Sequence, residues 1–532
     1  MTALSSSIQA LIARIRDLPP LAILFVIPLL GLFKTLFLHA RKRYPDVPWL
    51  RLDGSAKDGD DAKAFVRNGH EVIVSGYHKY TKNGESFLMR TPEGGQFVYH
   101  PRYIEEVRSA RETDLYNLPA NNDLMQLRHT MHKVLEVDQY HFNVVSKQLT
   151  QSLGPGLPHI VDECKGAFHD IIGEPREWKS FHMFPTAFQL TTRTANRLLF
   201  GADLARNKEF LQLAIDYSDT FFAGANTIRH YPEWFKPVAM YFKTGMYAQM
   251  RIARKHLYPL LESRISAMNQ AKASRKQAEF DRNKPADVVQ WVLDITPPEK
   301  VDKEMLTIRL LHILVAAVHT SSVTFLNAVY DLSTHPEIHD ELRQEIIDVF
   351  TQDDGKWSKQ GLTKMTKLDS FLKESARWHP MQAGTMDRIA MRDYTFKDGM
   401  TVPKGTYMLT PSSASNFDPD VWGPTVGEFD PWRFYKKRQE PGQATQHSLV
   451  QTSPEFTYFG HGKHACPGRF FAANELKVLL SYSLMNYDIN LPPNEPQPEL
   501  MWFSGKTMPA MRTKVNWRKR QNVVLPWNDL LV

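Results

Sequence analysis

FGHGKHACPG, residues 459–468, holds one of only two cysteines in a chain of 532 residues. Four chemistries suit a thiol set among glycines, a histidine and a proline: a buried structural group, a zinc ligand, a nucleophile, or an axial ligand to a larger cofactor. The spacing is F-x-x-G-x-H-x-C-x-G, carried by Phe459, Gly462, His464, Cys466 and Gly468. Glycines there permit unusual backbone angles and the close approach of a flat ligand. Pro467 suits a first helical turn, and FFAANELKVLLSYSL (470–484) reads as the helix that follows. A helix N-terminus facing the sulfur favours its thiolate form.

Cysteine usage narrows the choice. Two cysteines build no disulfide framework, which points to a reducing compartment. Zinc sites draw on clustered Cys and His, whereas Cys164 is far from Cys466 in sequence and no C-x-x-C occurs. Cys164, in VDECKGAFHD, reads as a small buried hydrophobe. Hydrophobic residues make up 42% and charged residues 23%, an ordinary globular balance that excludes wholesale disorder. The formal charge of +7 is modest for the length and no long Lys/Arg block carries it, so a nucleic-acid role is weakly supported. A basic face toward an anionic membrane or an acidic partner fits the same excess.

Residues 18–38, LPPLAILFVIPLLGLFKTLFL, are apolar except for Lys34 and Thr35. As a helix they would span about 30 Å, the thickness of a bilayer's hydrocarbon core. Arg41, Lys42 and Arg43 follow, which places the C-terminal side in the cytosol. The expected organisation is a short lumenal segment (1–17), a transmembrane anchor (18–38), a basic, proline-bearing spacer (39–50) and a catalytic body (51–532).

In the body, EVIVSGY (71–77) and GQFVYH (95–100) alternate as strands do and predict a small sheet. The signal from about 120 to 380 is mostly helical. Strand-like pieces return around 386–412 and in the tail. The basic stretch at 269–285 reads as a solvated connection. The fold class is mainly α with small β-sheets. One long helix is predicted from Val301 to Pro336, with Leu306, Leu310, Leu314, Ala317, Ser321 and Thr324 on one face. Its middle, AAVHTSS, is small and polar where a core helix is usually bulky. That composition serves either tight helix packing or the approach of something large. Upstream of Pro380, KESAR places Glu374 and Arg377 three apart, and FDPWRF adds Arg433. Three such groups can form a bidentate Glu–Arg–Arg network.

In order along the chain, the helix with AAVHTS, then KESAR, FDPWRF and FGHGKHACPG resemble the cytochrome P450 superfamily, over nearly everything after residue 50. The resemblance implies haem b with Cys466 as its thiolate ligand, and a structural role for Glu374, Arg377 and Arg433. It implies that His464 and Arg388 contact haem propionates, that Phe459, Gly462 and Gly468 shape the ligand loop, and that Ala316 and Ala317 let the haem approach the long helix. The family's W-x-x-x-R propionate motif is not evident, and Lys147 or His141 is the candidate substitute. Thr320 matches the threonine beside bound dioxygen. His319 stands where the family has an acidic residue; proton relay and a structural role at the helix kink are both open. Phe221, Phe222 and Met381 are candidate walls of the substrate pocket.

The resemblance also implies electrons from NADPH through a membrane-bound reductase, with cytochrome b5 a further partner, and an endoplasmic-reticulum location. The long helix is similar to fungal secondary-metabolism members such as ent-kaurene oxidase-like and indole-diterpene oxidases. A bulky terpenoid, meroterpenoid or indole-diterpene is the expected substrate. The competing readings are a reductase-independent haem-thiolate isomerase or dehydratase, and a non-enzymatic haem carrier or sensor.

Overall fold

The structure is a computed structural model that describes residues 43–52 and 57–527. The expected anchor (18–38), the segment before it and the start of the spacer lie outside the described residues. Residues 43–50 do not hang free as a spacer. Leu50 N donates to Leu88 O (2.7 Å) and Leu88 N to Pro48 O (2.8 Å), while Tyr44 and Trp49 meet edge to face at 5.0 Å. This segment is therefore a border of the first sheet.

Helix α1 (Asp58–Lys79) buries Phe65, Gly69, Val72, Ile73, Gly76 and Tyr77 at three- and four-residue steps. EVIVSGY, expected as a strand, lies inside it. The alternation EVIV fits a helix equally well once Gly69 and Gly76 share its buried face. A Cβ on Gly76 would come within 2.2 Å of the Phe87 ring, so only glycine lets α1 lie this close to the sheet. GQFVYH, by contrast, supplies most of a strand.

That sheet combines β1 (Phe87–Thr91), β2 (Gly94–Val98), β3 (Leu115–Tyr116) and two later strands. Then come α2 (Asn117–Met125), α3 (Leu153–Ile171), β4 (Lys179–His182), α4 (Met183–Leu199), α5 (Lys208–Arg229) and α6 (Met246–Ala273). The expected solvated connection (269–285) begins as the end of α6 and includes a short helix without a buried residue (Gln277–Asn283). The long helix is α7 (Lys303–Thr334), followed by α8 (Thr366–Trp378), β5 (Thr385–Ala390), β6 (Tyr407–Thr410) and α9 (Arg469–Asn486). The tail holds β7 (Tyr487–Asn490), β8 (Met501–Phe503), β9 (Lys506–Met508) and β10 (Lys514–Lys519).

The five strands of the first sheet run β1-β2-β6-β5-β3, with β2 and β6 the parallel pair. A smaller sheet runs β4-β10-β7, and β8 pairs with β9. The fold is thus mainly α with small sheets, as the patterning implied.

Helix α7 is the axis of the molecule. Asp302 caps it, accepting from Met305 N at 2.8 Å, and Pro336 follows its end. It packs against α4, α5, α8 and α9. Among the described residues it alone is long and apolar enough to cross a membrane, but 78% of its most apolar window is buried in protein. It is the core helix.

Candidate active site

Cys466 sits just ahead of α9. Its N–H donates to Phe459 O at 2.7 Å and closes the loop on itself. Gly460 (φ 70°) and Gly462 (φ 77°) adopt left-handed backbone, and a Cβ on Gly462 would press Arg108 Cβ at 2.9 Å. Gly468 has ordinary helical angles (φ −86°), so close approach rather than strain is its use: Cys466 Sγ lies 4.0 Å from where its Cβ would be. Burial pushes the Cys466 thiol up, and the backbone N–H groups of Gly468 and Arg469 oppose that by bonding the sulfur. Those donors, at the start of α9, favour thiolate over thiol.

Behind the loop, α8 supplies a fully buried ion cluster. Arg377 Nε and Nη2 donate to Glu374 at 2.8 and 2.6 Å, and Arg433 Nε reaches both carboxylate oxygens at 3.1 Å. The remaining guanidinium protons go to backbone: Arg377 to Asn416 O, and Arg433 to Thr425 O and Glu428 O. The structure brings all three sequence-selected residues together.

Two cavities meet at Cys466. Leu118, Asn121, Gln139, Phe142, Tyr458, Phe459 and Cys466 line both. One, of about 690 Å³, ends among Arg388, His464, Tyr116 and Asn143. The other, of about 330 Å³, rises along α7 past Ala316, Val315 and Thr320 to Phe222 and Met381. Arg388 is 3% exposed, and its Nε and Nη2 have no hydrogen-bond partner. A bulge in β5 falls between Thr385 and Arg388, with Met386 at φ 59°, and Arg388 resumes the ladder opposite Met408. Burial lowers the Arg388 guanidinium's proton affinity, as expected of a cation lacking its anion.

A slot with a thiol at its floor, apolar walls and two orphaned cationic N–H groups at one end fits a flat amphiphile with an acidic edge. Haem has that shape and charge. Cys466 would ligate the iron, with Arg388 and His464 at the propionate edge. Among the described residues no three His, Cys, Asp or Glu side chains gather as a metal cluster, so the cysteine has no zinc-type ligand set.

Not every expected residue falls in place. His141 is fully buried and uses both ring nitrogens, on Arg309 and His312. Lys147 is exposed and does not line the slot. With both ring nitrogens taken, His141 does not fit as a propionate partner; Asn143 and Ser146 border that recess, and Lys147 follows Asn143 by one helical turn on the same face. Ala316 faces the cavity, but Ala317 packs on the core. Phe222 and Met381 line the cavity, while Phe221 is 0% exposed and belongs to the core, one residue round α5.

Thr320 lines the cavity and donates Oγ1–H to Ala316 O at 2.8 Å. His319 points elsewhere, packed by the rings of Phe188 (5.8 Å) and Phe222 (5.0 Å). Burial, with Lys506 adding to it, pulls its pKa down to about 4, so it is neutral at pH 7.

Sequence reading places the long helix from His312 to Thr320 on the pocket wall, and His312, Ala316 and Thr320 do line the cavity on one helical stripe. It missed the bonds that join His312 to His141 and Arg309, and it missed Tyr458 and Ala472 and Leu476 of α9.

Comparison with known proteins agrees with the geometry. The family model described as "Cytochrome P450" matches residues 66–517. Cytochrome P450 monooxygenase 151 of Postia placenta is 32% identical over 86% of this chain and 90% of its own length. Cytochrome P450 monooxygenase AN1598 of Emericella nidulans is 32% identical over 87% and 85%, and cytochrome P450 monooxygenase olcJ of Penicillium canescens 30% over 86% and 85%. The chain belongs to the cytochrome P450 family, and it is a monooxygenase of that family.

Proposed function

We propose that this enzyme oxygenates a bulky, lipophilic secondary metabolite, with a terpenoid, meroterpenoid or indole-diterpene as the substrate class. The carrying observation is the second cavity, which runs from Cys466 along α7 between apolar walls. Such a pocket suits a large hydrophobic ligand held by few polar groups. The fungal origin of the relatives supports a metabolic role of this kind.

When bound, haem supplies dioxygen activation, with one oxygen atom entering a C–H bond and the other leaving as water at the expense of NADPH and a proton. The chain's own residues do the rest. Cys466 would hold the iron with a sulfur that accepts from the backbone N–H groups of Gly468 and Arg469. Glu374, Arg377 and Arg433 brace the layer behind it. Arg388 and His464 fix the acidic edge. Thr320 Oγ1–H is held on Ala316 O at the cavity wall above Cys466. His319 packs between two phenylalanines and stays neutral, which favours a structural role over a proton relay.

Residues 18–38 anchor the enzyme in the endoplasmic-reticulum membrane with the body in the cytosol. Electrons arrive from NADPH–cytochrome P450 reductase, with cytochrome b5 as a second donor, and the basic excess of the chain favours an acidic partner. A threonine hydroxyl at the cavity wall, as at Thr320, is superfluous in a haem carrier or in a reductase-independent isomerase, which favours the monooxygenase reading.

The test is to express the full chain with its reductase in microsomes and feed terpenoid and indole-terpenoid precursors with NADPH. Oxygenated products should form, detected by mass spectrometry, and should vanish in Cys466→Ala. Product formation without NADPH would overturn the reading.

A further inference from the structure

A buried chain of hydrogen bonds ends at the wall of the substrate cavity. Asp138 Oδ2 accepts from Arg309 Nη2 at 2.9 Å, and Arg309 Nη1 reaches Asp138 O at 2.7 Å and His141 Nδ1 at 3.1 Å. His141 Nε2 then meets His312 Nδ1 at 3.1 Å. Arg309, His141 and His312 are 1%, 0% and 4% exposed. Only His312 lines the cavity. The ring of Phe142 holds it from the side, edge to face at 4.8 Å.

Arg309 settles every proton in this chain. A guanidinium has donors and no acceptor. His141 Nδ1 must therefore accept, which puts the single hydrogen of the neutral ring on Nε2. That hydrogen is donated to His312 Nδ1, so His312 carries its own hydrogen on Nε2. Both imidazoles are neutral at pH 7: burial and neighbouring cations hold His141 near 2 and His312 near 4. Proton relay along the chain is blocked at its far end, since Arg309 does not give up a proton at physiological pH. What remains is a donor of fixed direction. His312 Nε2–H has no protein partner among the described residues.

We infer that His312 is a specificity-determining residue: it donates a hydrogen bond from Nε2 to an oxygen acceptor on the substrate, a carbonyl or a hydroxyl, and so selects an oxygen-bearing lipophile over a pure hydrocarbon or an amine. This deepens the function proposed above and rests on it, because it takes the cavity over Cys466 to be the substrate site. The other polar side chains of the wall are largely spent. Thr320 and Thr324 bond back to α7 carbonyls, Thr324 also meets Tyr458, and Gln139 Nε2 bonds Leu135 O. His312 lies eight residues before Thr320, a rise of about 12 Å along the helix. The acceptor oxygen should therefore sit on the order of 10 Å from the carbon presented beside Thr320. The substrate would already carry oxygen when it arrives, so an earlier oxidation, hydration or oxygen-retaining cyclisation must supply it.

Binding alone tests this. The probes are three saturated frames, decalin, perhydrophenanthrene and 5α-androstane, each as hydrocarbon, ketone and primary amine. Affinity for the haem-loaded full chain is measured by equilibrium dialysis, which needs neither turnover nor an iron signal. At least one ketone should bind tenfold or more tightly than its hydrocarbon and its amine. His312→Phe should abolish that preference and leave hydrocarbon affinity within twofold, and His312→Gln, which keeps an N–H donor, should retain part of it. His141→Phe, which frees the tautomer, should weaken it. The proposal is overturned if no ketone exceeds its hydrocarbon by more than twofold in the unmodified enzyme, a result that does not depend on any variant folding. It is also overturned if the preference survives His312→Phe. Failure of the monooxygenase reading would show separately, as absence of the thiolate-type reduced-CO spectrum in the same preparation.

Discussion

Glu475 offers a stability prediction with a definite sign. It lies on α9, wholly buried, and no geometrically sound hydrogen bond reaches either carboxyl oxygen. Burial pushes its pKa from the ordinary 4.5 up to about 8, with Ser321 opposing. The folded state therefore holds this proton more tightly than the unfolded chain. Its stability is fully present below about pH 4.5 and drains away as pH climbs toward 8. Two and a half pH units above the unfolded value, at pH 7, the loss is about 3 kcal/mol at 1.36 kcal/mol per unit. Glu475→Gln keeps the shape and removes the titration. The variant should match the parent near pH 5 and exceed it by about 3 kcal/mol at pH 7, a rise of several degrees in melting midpoint. Circular-dichroism melts of both proteins at pH 5 and pH 7.5 measure this, and their difference cancels groups the two share. A gap of the same size at both pH values, or a less stable variant at pH 7.5, would show that Glu475 is ionised at little cost and refute the argument.

Three further outcomes follow from the site. Glu374→Gln strips the charge from two buried guanidinium groups and should cost about 3–5 kcal/mol, read as a lower denaturation midpoint and less haem-loaded protein. Arg388→Met removes two unpartnered donors from the acidic edge of the slot and leaves His464 there; haem transfer to apomyoglobin should speed up about tenfold, the size of one charge-assisted hydrogen bond. His319→Phe should leave peroxide formed per NADPH unchanged, whereas Thr320→Ala should raise it; a rise in the first would restore the relay role.

Much of the site was legible because its chemistry is written in short, fixed spacings. Glu374 and Arg377 are one helical turn apart, and Cys466 comes with its glycines and its helix start. Arg433 was readable only as a motif, since 59 positions separate it from Glu374. What escaped was set by packing between distant segments. His141 and His312 are 171 residues apart, and nothing local marks them as partners. Phe221 and Phe222 differ by one step round a helix, which decides core against cavity, and composition is blind to that step. EVIVSGY misled because a four-residue alternation satisfies strand and helix alike, and the arbiter was a glycine face against Phe87.

The docking of residues 43–50 onto the first sheet leaves very little slack in the tether. From residue 38 to residue 43 an extended chain reaches no more than about 18 Å. On the anchor proposed for residues 18–38, the catalytic body would be held close to the lipid surface by its sheet edge. A cavity of about 170 Å³ lies between that sheet, Phe65 and Phe503. So short a leash would turn one side of the enzyme to the lipid, and a greasy substrate would then be drawn sideways out of the bilayer without first having to dissolve in water.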